Sequence, residues 1–263
     1  MKIFAASYGI YKGCYQDKLI YPIQCGTVLM DSVHIKLKDS YHNNISKKNA
    51  LYNELTAIYA VWKNKELHED FIGFCHYRRY FIKANFLSVL FLKILWRMPG
   101  LLAIKKKIYV FFLSKTSDFL MANIINLDAI LPKKILLKET LEEHYKKHHI
   151  AEHYDIMIKV ISNNFNYLSL YAEKYSKEKT GYFFNMFILN SKYFEVMSSE
   201  LFRFCGIIEE NIGEVKSKKE ERYVGYLCER FINFYLHYLI EEKKIKYMEL
   251  DVLFVNSESF YGI

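Results

Sequence analysis

FIGFCHYRRYF, Phe71 to Phe81, is the stretch that decides how this chain folds. Its apolar start runs into His76, Arg78 and Arg79. That pattern reads as a central strand whose C-terminal end reaches a site, because open α/β sheets bind ligands outside the carboxyl ends of their strands. Side chains alternate along an extended segment, so His76 and Arg78 are expected on one face and Tyr77 and Arg79 on the other. Upstream, KIFAAS (Lys2 to Ser7) is a short apolar run that breaks at Tyr8 and Gly9. It reads as a first buried strand, and the loop after it marks Ser7 and Tyr8 as candidate nucleotide contacts.

From Asn49 the pattern changes to helical spacing, with Leu51, Leu55, Ile58 and Trp62 on one stripe and Asn49 as N-cap. YPIQCG (Tyr21 to Gly26) is bounded by Pro and Gly and reads as a turn or a brief strand. Further on, Ile125 to Leu131 reads as a strand, Lys138 to Ile161 as a long helix, Gly181 to Leu189 as a buried strand and Arg222 to Glu242 as an amphipathic helix. Strands alternating with helices predict an α/β fold with a mostly parallel or mixed sheet. Phe86 to Leu113 is strongly apolar but interrupted by Lys93, Arg97, Pro99-Gly100 and Lys105 to Lys107. It predicts a helical insertion with no stretch of membrane-spanning length.

The chain has 263 residues, and the 52% apolar fraction with 23 Tyr and 20 Phe supplies ample core material. With only three Pro and ten Gly, no linker-like stretch and no internal repeat, one domain over residues 1–263 is expected. Cys14, Cys25, Cys75, Cys205 and Cys228 are odd in number and lack CxxC spacing, so free thiols in a reducing compartment are expected. The N-terminus is too short in apolar residues for a signal-peptide core, which predicts a cytoplasmic protein. The net charge of +8 suits several anionic partners. No helix-turn-helix, ribonucleoprotein motif or zinc finger accompanies it, so nucleic acid is not an expected partner. Four of the six arginines fall in two segments, Arg78 with Arg79 and Arg222 with Arg230.

Six segments in order resemble one family. They are NISKKNALYNELTAIYAVWKN (Asn44 to Asn64), IGFCHYRRYF (Ile72 to Phe81), DAILPK (Asp128 to Lys133), HYKKHH with Asp155, NMFIL (Asn185 to Leu189) and RYVGYLCERFIN (Arg222 to Asn233). The family is the domain of unknown function 4422, found in capsular and exopolysaccharide gene clusters, and the resemblance covers most of the chain. It implies a GT-A-like glycosyltransferase fold, with a Rossmann-like mixed sheet flanked by helices. It also implies a UDP-sugar donor, galactofuranose leading because some members are similar to galactofuranosyltransferases. The implied acceptor is a lipid-linked oligosaccharide or a capsular, O-antigen or exopolysaccharide chain at the inner face of the membrane. The apolar insertion matches no family block.

His76, Arg78 and Arg79 stand where many GT-A enzymes place an Asp-x-Asp pair that holds a metal on the donor diphosphate. Arginine forks match phosphate oxygens, so donor binding is expected without a cofactor, a divalent metal being the weaker reading. The other reading of one of these arginines is a buried structural pair with a carboxylate. Inverting transfer needs a carboxylate base. Glu229 is the first candidate, with Arg230 beside it at the donor, or the two form an ordinary surface pair. Asp128 competes for the role of base, and Asp31 and Glu54 follow.

His144 with His148, and His149 with His153, are spaced as i, i+4 pairs that either chelate an ion or line a polar helix face. The resemblance favours His148, His149 and Asp155 as contacts to sugar hydroxyls. Asn185 is either a further sugar contact or a strand-start cap. The rival to catalysis is a catalytically silent, membrane-associated binding protein of polysaccharide assembly. For Phe86 to Leu113 the alternatives are a hairpin docking on anionic membrane and an internal helical pair covering the sheet.

Overall fold

The computed structural model describes residues 1–8, 13–214 and 221–255. Gly9, part of the predicted loop after the first strand, lies outside the described residues. Strand β1 (Lys2–Ser7) pairs in parallel with β2 (Ile20–Gln24) on one side and with β4 (Phe71–His76) on the other, and β3 (Leu37–Lys38) extends the edge beyond β2. At its end β4 turns back into β5 (Arg79–Ile82), so the predicted single strand from Phe71 to Phe81 is a hairpin with Tyr77 and Arg78 at its tip. Beyond β4 lie β6 (Ala129–Pro132), β9 (Phe187–Asn190) and β10 (Tyr247–Phe254). β9 runs antiparallel to both β4 and β6, while β10 is parallel to β6 and antiparallel to β5. The sheet is therefore mixed. A separate small pair joins β7 (Ile135–Leu136) to β8 (Thr180–Gly181).

Both faces of this sheet are buried, which is why its strands read as continuous apolar runs rather than alternating ones. Phe4, Ala6, Ile72, Phe74, Phe187 and Leu189 point into one core; Ile3, Ala5, Cys75, Ile130 and Ile188 point into the other. The first core is closed by α2 (Leu55–Lys63), α6 (Ala151–Asn164), α7 (Asn166–Ser176), α8 (Ser191–Ile212) and α9 (Tyr223–Glu241). The second is closed by α3 (Phe86–Arg97) and α4 (Leu102–Asn123). The apolar insertion is thus the sheet's second helical layer, and it extends ten residues past Leu113.

Several predicted elements are broken. The helix expected from Asn49 is a four-residue turn, α1 (Asn49–Tyr52), followed by α2, with Asn53 between them at φ +53°. Asn49 is not a cap; its amide donates to the Asn53 carbonyl at 2.6 Å and to Thr56 Oγ1 at 3.0 Å. The long helix from Lys138 begins at α5 (Leu141–His148), whose start is fixed by a reciprocal Thr140–Glu143 capping box, and stops at His149 before α6. Gly181 to Leu189 is not one strand, because Phe184 and Asn185 both take left-handed backbone geometry between β8 and β9. Helix α9 is buried nearly all round rather than amphipathic. Among the described residues, Leu102–Asn126 is long and apolar enough to cross a membrane by length and composition, contrary to the sequence expectation. Its inner stripe, however, is bonded to the protein: the Lys83 amide donates to Thr116 Oγ1 at 2.9 Å and Ser117 donates to Asp17 at 2.6 Å.

Candidate active site

The breaks converge on one cavity of about 490 Å³ at the carboxyl edge of β1, β2 and β4, within the range of small-molecule sites. The end of β1 places Ser7 and Tyr8 at its wall, and the β4–β5 hairpin places His76, Tyr77, Arg78 and Arg79. Because His76 and Arg79 are directly paired across the hairpin, they share a side of the ribbon. That corrects the expected partition of His76 with Arg78. The kink at Asn53 turns Glu54 into the cavity, and α9 contributes Arg222, Tyr226, Glu229 and Arg230.

A polar network holds these pieces together. Glu54 Oε1 accepts from the Asn185 amide at 2.6 Å and lies 4.0 Å from His76 Nε2, which also bonds the Phe184 carbonyl. Glu229 Oε2 accepts from the Phe184 backbone amide at 2.6 Å, and its Oε1 accepts from Arg230 at 3.1 Å. Arg230 is almost fully buried and also donates to His144 Nδ1 at 3.2 Å. That bond assigns the His144 ring proton to Nε2. Burial, and then the Arg230 charge, push the His144 pKa below its ordinary value, so the ring is neutral at pH 7. Two buried polar atoms in this wall, Asn185 Oδ1 and Arg230 Nε, have no hydrogen-bond partner among the described residues. Unsatisfied buried groups of this kind are costly and are matched by an incoming ligand or water.

Neither Arg78 nor Arg79 is in a carboxylate ion pair among the described residues, which sets aside the structural-pair reading. Arg79 stacks over Phe184 at 4.3 Å and Arg78 over Tyr77 at 4.9 Å. Burial, followed by the adjacent Arg78 charge, lowers the Arg79 pKa, opposed by Glu229 and Glu54. A cation so disfavoured gains from an arriving anion.

The other sequence candidates scatter. Asn185 lines the cavity, its Nδ2 donating to Glu54 rather than its side chain capping a strand, and His149 lines it stacked on Tyr226 at 4.1 Å. His148 packs its ring on His144 outside the lining. Asp155 pairs with Lys146 at 2.7 Å on a different surface. Asp128 sits at the opposite end of the sheet, where its carboxylate accepts from the Lys246 amide and its carbonyl from the Asn190 amide. Asp31 is exposed and away from the cavity. The four histidines do not assemble: His153 is buried against Tyr223, and no group of three His, Cys, Asp or Glu side chains gathers among the described residues.

Sequence reasoning missed Asn49, Asn53, Phe184 and Tyr226. For Asn53 the available signal was the Gly225 it meets. A Cβ at Gly225 would lie 2.3 Å from Asn53 Nδ2, so the kink and α9 approach where only glycine fits.

No curated protein matches the chain. Among solved structures it is similar to the WbbM bifunctional glycosyltransferase in its apo form, with a TM-score of 0.80 and 24% sequence identity. That match covers 97% of this chain and 45% of the other, so the chain spans less than half of that protein, and the likeness establishes the fold. The family model described as domain of unknown function DUF4422 matches residues 2–242, and the chain belongs to that family.

Proposed function

We propose that this protein is a glycosyltransferase with a GT-A-like fold. It moves a sugar, galactofuranose being the leading donor, from a UDP-sugar to a lipid-linked oligosaccharide or polysaccharide acceptor of a surface glycan. The reaction inverts the anomeric centre, uses no divalent metal, and takes place on the cytoplasmic side. The observation that carries this reading is the charge of the cavity. Among the described residues, Arg78, Arg79, Arg222 and Arg230 face only the carboxylates Glu54 and Glu229 there, so an anionic ligand is wanted. Arginine forks fit a diphosphate and stabilise it as the leaving group. The fold shared with a glycosyltransferase supports the same reading.

In the reaction, an acceptor hydroxyl oxygen attacks the anomeric carbon. The bond from that carbon to the diphosphate oxygen breaks with its electron pair leaving on UDP, and the hydroxyl proton passes to a carboxylate. Glu229, the sequence candidate, has both oxygens engaged by Phe184 and Arg230. Glu54 holds Asn185 through Oε1, and its Oε2 accepts no hydrogen bond among the described residues. We therefore assign Glu54 as the base, with Glu229 positioning the Phe184–Asn185 loop.

UDP titration by calorimetry, followed by UDP release from UDP-galactofuranose in the presence of a glycan acceptor, tests the proposal. Binding with turnover is expected. Binding without turnover of any UDP-sugar would favour a silent binding protein, and no binding of UDP would overturn the assignment.

A further inference from the structure

The α3–α4 hairpin has a second apolar surface that none of the other described residues covers. Val89, Leu92 and Leu95 point inward, yet Phe86 and Leu87 are 79% and 73% exposed, and Phe91, Ile94, Leu102 and Ile104 are exposed with them. Large apolar side chains exposed in such number on one hairpin mark an interaction site. Its charge is one-sided: α3 and α4 carry Lys93, Arg97, Lys105, Lys106, Lys107 and Lys115 against the single carboxylate Asp118, which pairs with Lys18 at 2.7 Å. Lys93 and Arg97 flank an apolar cleft of about 210 Å³ between α3 and β10, roofed by Trp96 and Phe254. Lys105, by contrast, is buried and bonds the Met98 carbonyl, so it caps the end of α3 rather than facing outward.

We propose that this hairpin is a peripheral docking element for an anionic phospholipid bilayer, with the exposed apolar residues in the interface and Lys93, Arg97 and Lys107 at the head groups. An apolar face bordered by cations, its one carboxylate already paired with a lysine, is the chemistry such surfaces recognise. A second copy of this chain fits worse, since it would set like charges against each other. A membrane-spanning α4 is opposed by the bonds of Thr116 and Ser117 to the protein interior. The docking face is also one aromatic layer from the cavity: the Trp96 ring lies 5.8 Å from that of Phe254, which lies 5.7 Å from Phe184. Docking brings the cavity toward lipid, a benefit to acceptor delivery that rests on the proposed transfer activity; the docking itself does not.

The test is flotation of the full chain with vesicles of phosphatidylcholine alone, or with about one third phosphatidylglycerol. Only Trp62 and Trp96 are present, so Trp62→Phe leaves Trp96 as a reporter whose emission should shift to the blue on anionic vesicles. Wild type is expected to float with anionic vesicles and to release in high salt. Each of Lys93→Glu and Arg97→Glu should weaken binding about fivefold or more, and Leu87→Ser with Phe91→Ser should abolish it, while all variants keep wild-type UDP affinity. Unchanged UDP affinity separates a failure of docking from a failure of the transferase reading. Equal flotation on neutral and anionic vesicles, a salt-insensitive integral association, or an apolar-face dimer broken by the serine variant would each overturn the proposal.

Discussion

The backbone amide of Phe184 donates to Glu229 Oε2 at 2.6 Å. A carboxylate on α9 thus holds a loop whose two central residues, Phe184 and Asn185, are both left-handed at φ +73° and +52°. Left-handed geometry at non-glycine residues is costly and persists only where the surroundings over-determine it. Here those surroundings are Glu229 beneath the loop, Glu54 bonded to the Asn185 side chain, and His76 bonded to the Phe184 carbonyl.

The two cavity carboxylates should therefore respond differently to amide substitution. Glu54→Gln keeps an oxygen for Asn185 but cannot take a proton, so turnover should fall ~10²–10⁴-fold with UDP affinity little changed. Glu229→Gln turns an amide N–H toward a donor on one side or the other, which should lower stability by ~1.5–3 kcal/mol and weaken UDP as well. Calorimetry and thermal unfolding beside turnover separate the two. Should Glu229→Gln abolish turnover with UDP affinity intact while Glu54→Gln stays within about threefold of wild type, short of what a general base contributes, Glu229 is the base.

Arg79 is expected to carry diphosphate binding without metal help. Arg79→Ala should cost ~1.5–3 kcal/mol of UDP affinity. Arg79→Lys should recover only part of that, because lysine keeps the charge but loses the fork and the stack on Phe184. Chelation by EDTA should leave UDP affinity unchanged. A loss of tenfold or more on chelation would mean that a metal shares the site.

Gly225 and Asn53 form a pair that can be tested by rescue. Gly225→Ala puts a methyl group 2.3 Å from the Asn53 amide, and crowding of this kind costs ~1–3 kcal/mol. Asn53→Gly removes the colliding amide and tolerates φ +53°. The double variant should therefore be more stable in denaturant titration than the sum of the singles. Additive losses would show that the two positions do not meet.

His237 gives the fold an acid-sensitive element. Burial, aided by the Lys134 charge, lowers its pKa from the ordinary value to about 3, and its ring stacks on Tyr175 at 3.4 Å. A folded-state pKa below the unfolded one means that the unfolded chain takes the proton first. The stabilisation is therefore complete above about pH 6.5 and is lost as pH falls toward 3. His237→Phe keeps the stack and should reduce the loss of stability between about pH 7 and 5 by about 2 kcal/mol. An unchanged slope of unfolding free energy against pH would count against this role.

The sequence by itself determined the layers of this protein. Runs such as Ile3 to Ala6 and Phe71 to Cys75 carry no polar side chain because each strand buries both faces, and the apolar stripe of α2 follows from the same need to cover them. The order of the elements and the location of a cationic site at the end of β4 were legible for that reason. Tertiary structure alone decided where those elements break. Periodicity runs without interruption through Asn53, Tyr77-Arg78, His149 and Phe184-Asn185, yet the chain turns or kinks at each. What sets these breaks is long-range: Gly225 receives Asn53, Glu229 holds the Phe184 amide, and Asn185 reaches Glu54, at sequence separations no local pattern encodes. Asp128 shows the converse. It stands at a strand end in a family block, as a base would, but at the opposite end of the sheet from the cavity, because the direction of β6 is set by its pairing with β9 and β10 and not by its own residues.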